Sequence, residues 1–390
     1  MKISNFTCRC LHVRRSLFLS IFIITLSIIL FSQTLGAEDI LNEDFLWAQN
    51  LTETWNVIDD DRTITSFSDI HGKAVYQIIV FNSEHTAAEL NRNTAHSLGA
   101  QSEAIPFMFN GHEAVLSEAR WTAGTRDVHG YIISIDDRPQ AIGARKYPHD
   151  YVLMSFSISS EFDMYHDFLL SNLDGFAPLA EEYHLPGVLN QFIRTTGNEA
   201  SSLNTAVEAA YAVIQREARI LNQFSHAPDN IKNSAWRRYY QMLYKDSFHD
   251  MDDTARDIDT RFRNEGLQKN EYPAEILSWL QTFSYRRTGT LSDLEPSLLC
   301  IRNEAGDCDS LGLTYMAILK RLGIESILMI SPHHSHSLVG VDSAGAGARF
   351  PFMGRQWLAA ELTADVPIGS IAEDQADPGS WLGFSMDMNP

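Results

Sequence analysis

The chain has 390 residues, 44% of them hydrophobic, and 50 acidic against 30 basic side chains, for a formal net charge of −20. That excess of acid argues against nucleic acid and against an anionic membrane surface as partners. The length suits two domains, and the apolar fraction is that of a globular protein.

Residues 1–37 read as a secretory signal peptide. Lys2, Arg9, Arg14 and Arg15 make a basic start, Ser16 to Ser32 an apolar core, and Leu35-Gly36-Ala37 a small-residue cleavage site. The apolar core is also at the lower edge for a spanning helix, so an uncleaved anchor is the rival reading. Losing the four basic residues takes the formal charge from −20 to about −24. The expectation is a periplasmic or secreted protein with no membrane partner after cleavage. Cys8 and Cys10 leave with the leader, so the mature chain keeps Cys300 and Cys308. A disulfide between them would block either as a nucleophile; otherwise Cys300, in its Leu298-Leu299-Cys300-Ile301 run, is a buried packing thiol.

From 40 to 195 the pattern predicts an α+β domain with an antiparallel sheet. Ala74–Phe81, Ala114–Trp121, Gly130–Ile135 and Tyr151–Ser157 are strand patterns, and Thr86–Leu98 and Asp163–Leu173 have helical period. Thr195–Ser202, polar and rich in small residues, is the expected linker. From 201 to 390 a second domain begins with helices over Leu203–Leu221, Trp236–Tyr244, Asp253–Arg263 and Tyr272–Phe283. Trp236, Tyr239, Tyr240 and Tyr244 recur at a spacing that belongs to a core rather than a ligand box.

The chemistry concentrates between 306 and 363. In Gly306-Asp307-Cys308-Asp309, an aspartate caps a helix that opens at Cys308 and continues through Leu311, Tyr315, Ile318 and Leu322. A thiol at a helix N-terminus gains the dipole's support for thiolate, and the free amides there suit an oxyanion. Ile324–Ile330 is a buried strand pattern, Ser331-Pro332 breaks it, and His336 opens the next strand, Ser337–Val341. Asp342–Gly347 is a Gly-rich turn leading to a return strand, Gln356–Leu362, whose Glu361 comes beside His336 if the pairing is antiparallel. Thiol, imidazole and carboxylate are the parts of an acyl-transfer site that needs no cofactor. His333, His334 and His336 also permit a weaker metal reading on His334 and His336, or a redox protein using Cys300, although no carboxylate or cysteine stands beside them in sequence.

The Gly-Asp-Cys-Asp helix start, the Leu322-Gly323-Ile324 exit, His336 with its alternating apolar residues, and Trp357-x-x-x-Glu361-x-Thr363 resemble the transglutaminase-like cysteine hydrolases, most of all the bacterial transglutaminase-like cysteine proteinases. Ile276–Tyr285 and Asp293–Pro296 fit the same core, so the resemblance covers about residues 230–365. It implies a papain/transglutaminase-like core and a peptidase or amidase acting on a protein or peptide substrate. It further implies Cys308 as nucleophile, His336 as base and Glu361 as orienting acid, with Gln281 as an oxyanion donor and Asp307, Asp309 and Trp357 in support. The family's third residue is usually Asp, so Glu361 departs from the pattern. A non-catalytic binding protein on a degenerate scaffold is the alternative. Phe107–Val115 and Leu170–Phe176 loosely resemble a PsbP-type α+β domain, which implies a binding or scaffolding unit without catalytic residues.

Overall fold

A computed structural model describes residues 39–45, 47–61, 63–81, 85–136, 149–178, 183–197, 202–287 and 293–387. The expected leader, and residues 198–201 of the expected linker, lie outside them. Two short strands come first, β1 (Asp39–Asn42) and β2 (Trp47–Asn50). The chain then builds a compact unit over 54–106 and 113–169. Its strands are β3 (Trp55–Asp61), β4 (Ile64–Asp69), β5 (Ala74–Phe81), β6 (Gln101–Phe109), β7 (His112–Ala123), β8 (Arg126–Asp136) and β9 (Asp150–Ile158), in the sheet order β3-β4-β5-β9-β8-β7-β6. The central strands β8 and β9 are buried along most of their length, as a strand covered on both faces must be.

Helix α1 (Ala87–Leu98) lies on this sheet. Thr86 and Glu89 form a reciprocal capping box at its start, and Gly99 ends it in the left-handed region at φ 65°. Leu90, Thr94 and Ala95 give it an apolar face. Asn91, buried in the same face, donates to the carbonyls of Val115 and Ile132, both at 3.3 Å.

The second unit comprises 36–53, 107–112 and 170–390. It takes in the last turn of α2 (Phe162–Asp174), then β10 (Phe176–Ala177), α3 (Val188–Thr196), α4 (Leu203–Gln223), α5 (Asp229–Asp250), α6 (Asp252–Glu265), α7 (Tyr272–Leu280), β11 (Ser284–Tyr285), α8 (Ser297–Asn303), β12 (Ala305–Gly306) and α9 (Cys308–Arg321). Strands β13 (Ser326–Ser331), β14 (His336–Val341), β15 (Arg349–Phe352), β16 (Arg355–Ala360) and β17 (Leu382–Phe384) complete it. The fold class is α+β with antiparallel main sheets. Among the described residues, no helix is long and apolar enough to cross a membrane.

This division departs from the linear boundary at 195. Strand β2 pairs with β10, Gln49 donates to Asn172 O at 2.8 Å, and Asn50 donates to Gln241 at 3.1 Å. Residues 39–53 therefore belong with partners more than a hundred positions away, a pairing that no local pattern announces.

Helix α9 is the axis of the second core. Leu311, Tyr315, Ile318 and Leu319 pack with Leu328, Ile330, Val339, Val341 and Ala360, alternate residues of one face of the β15-β16-β14-β13-β17 sheet. The other face carries Ile327, Met329, Leu338, Trp357 and Ala359 in a separate cluster. A Cβ added to Gly383 of β17 would meet the ring of Phe352, from the opposite edge strand β15, at 2.8 Å. The sheet thus curls until its edges approach, and Gly383 leaves room for that ring.

Beneath α4 and α5 lies a buried ionic lattice. Glu217 accepts from Arg238 at 2.6 Å and Arg216 at 2.9 Å, and Ser171 donates to it at 2.6 Å. Arg216 also bonds Asp174 at 2.7 Å, and Lys245 donates to Asp174 O at 3.0 Å. Every charge there has a partner, as burial requires.

Candidate active site

Cys308 is the first residue of α9. Asp307 is the N-cap, its carboxylate accepting from Ser310 N at 2.8 Å. Asp309 does not cap. The amides of Cys308 and Asp309 fall in the turn where a helix has no carbonyl of its own to meet them, so they are available to an anion beside the sulfur. The thiol is buried, 5% exposed. Its sulfur donates to Asp309 Oδ1 at 3.8 Å.

His336 starts β14, opposite Ser331 of β13. A four-residue loop joins them, and its last residue, Ser335, stands at φ 49°, a left-handed conformation for a residue with a side chain. The imidazole Nε2 meets Glu361 Oε2 at 2.7 Å. Cys308 is close enough to the ring to favour its charged form. Glu361 lies one residue past β16, held in place by its other oxygen, Oε1, which accepts from Thr363 N and Thr363 Oγ1, both at 2.7 Å. Burial works against charge on His336, but the nearby Cys308 and the bonded Glu361 override it and push its pKa up to about 10. Burial likewise works against charge on Glu361, and the His336 bond outweighs it, holding the carboxyl below its ordinary value.

His336 and Glu361 are joined by a hydrogen bond, and Cys308 lies near enough to the ring to influence its charge. Three other expectations need correction. Gln281, in the turn after α7, spends both amide hydrogens on backbone, donating to Glu361 O at 2.7 Å and Val366 O at 2.9 Å. It is a strut under the acid segment and has no donor left for an oxyanion. Trp357 sits in the cluster on the sheet face away from α9, its indole N–H donated to Phe352 O at 3.0 Å. The indole standing edge-on to His336 is instead Trp381, with ring centroids 6.3 Å apart. The metal reading of His334 and His336 also fails to assemble: His334 stacks on Trp381, and among the described residues no three His, Cys, Asp or Glu side chains gather as a metal site requires.

Cys300 and Cys308 are both free thiols. Cys300 donates to Glu295 O at 3.7 Å, and burial pushes its pKa up to about 12, as befits a packing thiol. One further residue was read as core alone. Tyr240 of α5 is core, 2% exposed, but its hydroxyl donates to Asp309 Oδ2 at 2.9 Å. A buried tyrosine commonly finds such a partner, and that was the available signal.

No family model matches the chain, the transglutaminase-like one included. No curated protein matches it either. Among solved structures, the chain is similar to cyanobacterial PsbP (CyanoP) from Synechocystis sp. PCC 6803 at 12% identity, over 39% of this chain and 98% of that one, with a TM-score of 0.28. A protein from Bacteroides thetaiotaomicron VPI-5482 is similar at 8% identity, over 55% and 78% of the two chains, with a TM-score of 0.27. LpqN, involved in cell envelope biogenesis of Mycobacterium tuberculosis, is similar at 8% identity over 36% and 88%, with a TM-score of 0.25. Likenesses this slight bear on neither the fold nor the chemistry of the site.

Proposed function

We propose that the protein is an exported cysteine hydrolase of transglutaminase-like type, a peptidase or amidase that works through a Cys308–His336–Glu361 triad. One observation supports this above the others: His336 bonds Glu361 at 2.7 Å and lies near enough to Cys308 for the sulfur to favour its charged form. Glu361 fixes the ring and favours its protonated form, and the protonated ring favours thiolate. The Cys308 thiolate attacks the carbonyl carbon of an amide. The resulting oxyanion is stabilised by the first amides of α9. As the C–N bond breaks, His336 gives its proton to the leaving nitrogen and a thioester remains on Cys308. His336, now neutral, takes a proton from water, whose oxygen attacks the thioester and releases the acid and the thiolate. An amine in place of water gives transamidation, which ranks below hydrolysis here.

The test is alkylation by iodoacetamide at neutral pH, together with turnover of a fluorogenic peptide-amide library. Cys308→Ala abolishes both, because Cys300 is buried with a pKa of about 12 and does not label. Turnover retained in that variant sinks the mechanism. The second reading is a non-catalytic binding protein on the same scaffold, and the 5% exposure of Cys308 is what favours it. That reading expects wild-type protein to alkylate no faster when His336 is present than in His336→Gln.

A further inference from the structure

The acceptor that the thiol meets lies outside the triad. Asp309 Oδ1 receives the thiol hydrogen at 3.8 Å, and Asp309 Oδ2 receives the hydroxyl of Tyr240 at 2.9 Å. Tyr240 has little freedom to do otherwise. Its ring stacks between Trp236, with centroids 5.7 Å apart, and Phe384, at 6.3 Å, and it is buried. The helix α5 thus delivers a buried hydroxyl to the residue next to the nucleophile. A hydroxyl that donates to a carboxylate orients it. A fixed negative charge against sulfur opposes thiolate, while a hydrogen bond from S–H to that charge favours thiol. The pull of His336 and the helix N-terminus is in the opposite direction.

We infer that Asp309, held by Tyr240, is a positioning residue that restrains the nucleophile: it keeps Cys308 as a thiol turned away from His336 until a substrate carbonyl and its oxyanion displace that arrangement. The inference rests on the proposed role of Cys308 as nucleophile. It assigns to Asp309 and Tyr240 a function outside the triad. The other titratable groups facing the sulfur are His336, the N-cap Asp307, and Tyr285 of β11, which is raised first by desolvation and then by the charges of Cys308, Asp307 and Asp309.

The experiment measures iodoacetamide alkylation and the ultraviolet absorbance of the thiolate in the full chain, for wild type, Asp309→Asn, Asp309→Glu and Tyr240→Phe. Thermal midpoints establish that each is folded. Removing the charge in Asp309→Asn raises neutral-pH alkylation roughly tenfold, the effect of one pK unit on the thiolate fraction. Asp309→Glu brings the rate back toward wild type. Tyr240→Phe keeps the charge but frees the carboxylate to turn, so alkylation rises by less than in Asp309→Asn. A merely loosened site would also alkylate faster in Asp309→Glu, which keeps the charge beside the sulfur. The inference is overturned if Asp309→Asn alkylates no faster than wild type, or if Asp309→Glu alkylates as fast as Asp309→Asn. Alkylation needs no turnover, so the two proposals fail separately. A tenfold rise in Asp309→Asn without turnover in wild type sinks the hydrolase and keeps the restraint. Turnover in wild type with no rise does the reverse.

Discussion

In the lattice beneath α4 and α5, Glu217 accepts from two guanidiniums and a serine, and Arg238, 1% exposed, turns its two terminal nitrogens to Glu217 and Ser171. At the tip of α9, His336 and Glu361 are nearly as buried, at 14% and 8% side-chain exposure, yet the neighbouring thiol is bonded outside that pair, to Asp309. In the lattice the buried charges of opposite sign meet one another directly. The triad is closed on the Glu361 side and open on the Cys308 side. Buried charge alone does not mark a reactive site. On the proposed reading, the mark is a bonded acid and imidazole beside a thiol at a helix N-terminus.

The comparison predicts that the lattice carries stability and the triad does not. Glu217→Gln leaves the buried Arg238 without its carboxylate partner and Arg216 with Asp174 alone, and costs about 3–5 kcal/mol of unfolding free energy. Cys308→Ala removes one sulfur and costs about 1 kcal/mol, within the range of ordinary substitutions. Denaturant unfolding of the two variants checks this. A Glu217→Gln protein as stable as Cys308→Ala would erase the distinction.

A smaller effect sharpens the same contrast through pH. Glu53 is buried near Arg238, and among the described residues its Oε1 has no hydrogen-bond partner. Burial pushes its pKa from 4.5 up to about 7, against the pull of Arg238. Between those values the folded state holds a proton that the unfolded state has released, so stability falls as pH rises from 4.5 to 7. The single group is worth on the order of 3 kcal/mol across that window. Asp246, raised by burial to about 7, slopes the same way. Thermal midpoints taken across the window should decline in wild type and decline less in Glu53→Gln; equal slopes in the two would remove Glu53 from the account. His336 slopes in the same direction at higher pH. Its stabilisation is complete below 6.5 and is lost as pH climbs through about 10.

Much of the triad was legible in the sequence because each member sits on an element with a strong local signature. The Asp307 cap and the Leu311, Tyr315, Ile318 spacing announce α9, Ser331-Pro332 announces the break before His336, and the apolar run around Glu361 announces the return strand. The flanking roles were illegible because they depend on contacts between distant segments. Trp381 reaches His336 from beyond the last motif, and Tyr240 reaches Asp309 from 69 positions upstream. The return strand was also read as following the Gly-rich turn directly, whereas β15 intervenes and the β15-β16 hairpin carries Trp357 to the far face. Strands β1 and β2 are four residues each, too short for a period, and they pair across the chain.

Gln281 gives the smallest effect and the finest discrimination. As an oxyanion donor it would touch the reaction alone, and removing it would cost about 100- to 1000-fold in kcat with stability unchanged. As the strut the structure describes, it holds the carbonyls of Glu361 and Val366 at 2.7 and 2.9 Å. Gln281→Leu then leaves two carbonyls short of a donor and costs about 1–3 kcal/mol of stability. Activity falls only as far as Glu361 drifts from His336, and the drift weakens the bond that keeps the imidazolium charged. The Gln281→Leu enzyme should therefore lose activity most at alkaline pH, where His336 discharges first, and least in mild acid. A stable variant with a large kcat deficit at every pH would restore Gln281 to the oxyanion. An unstable one with a deficit confined to alkaline pH assigns it to the frame that aims the acid at the ring.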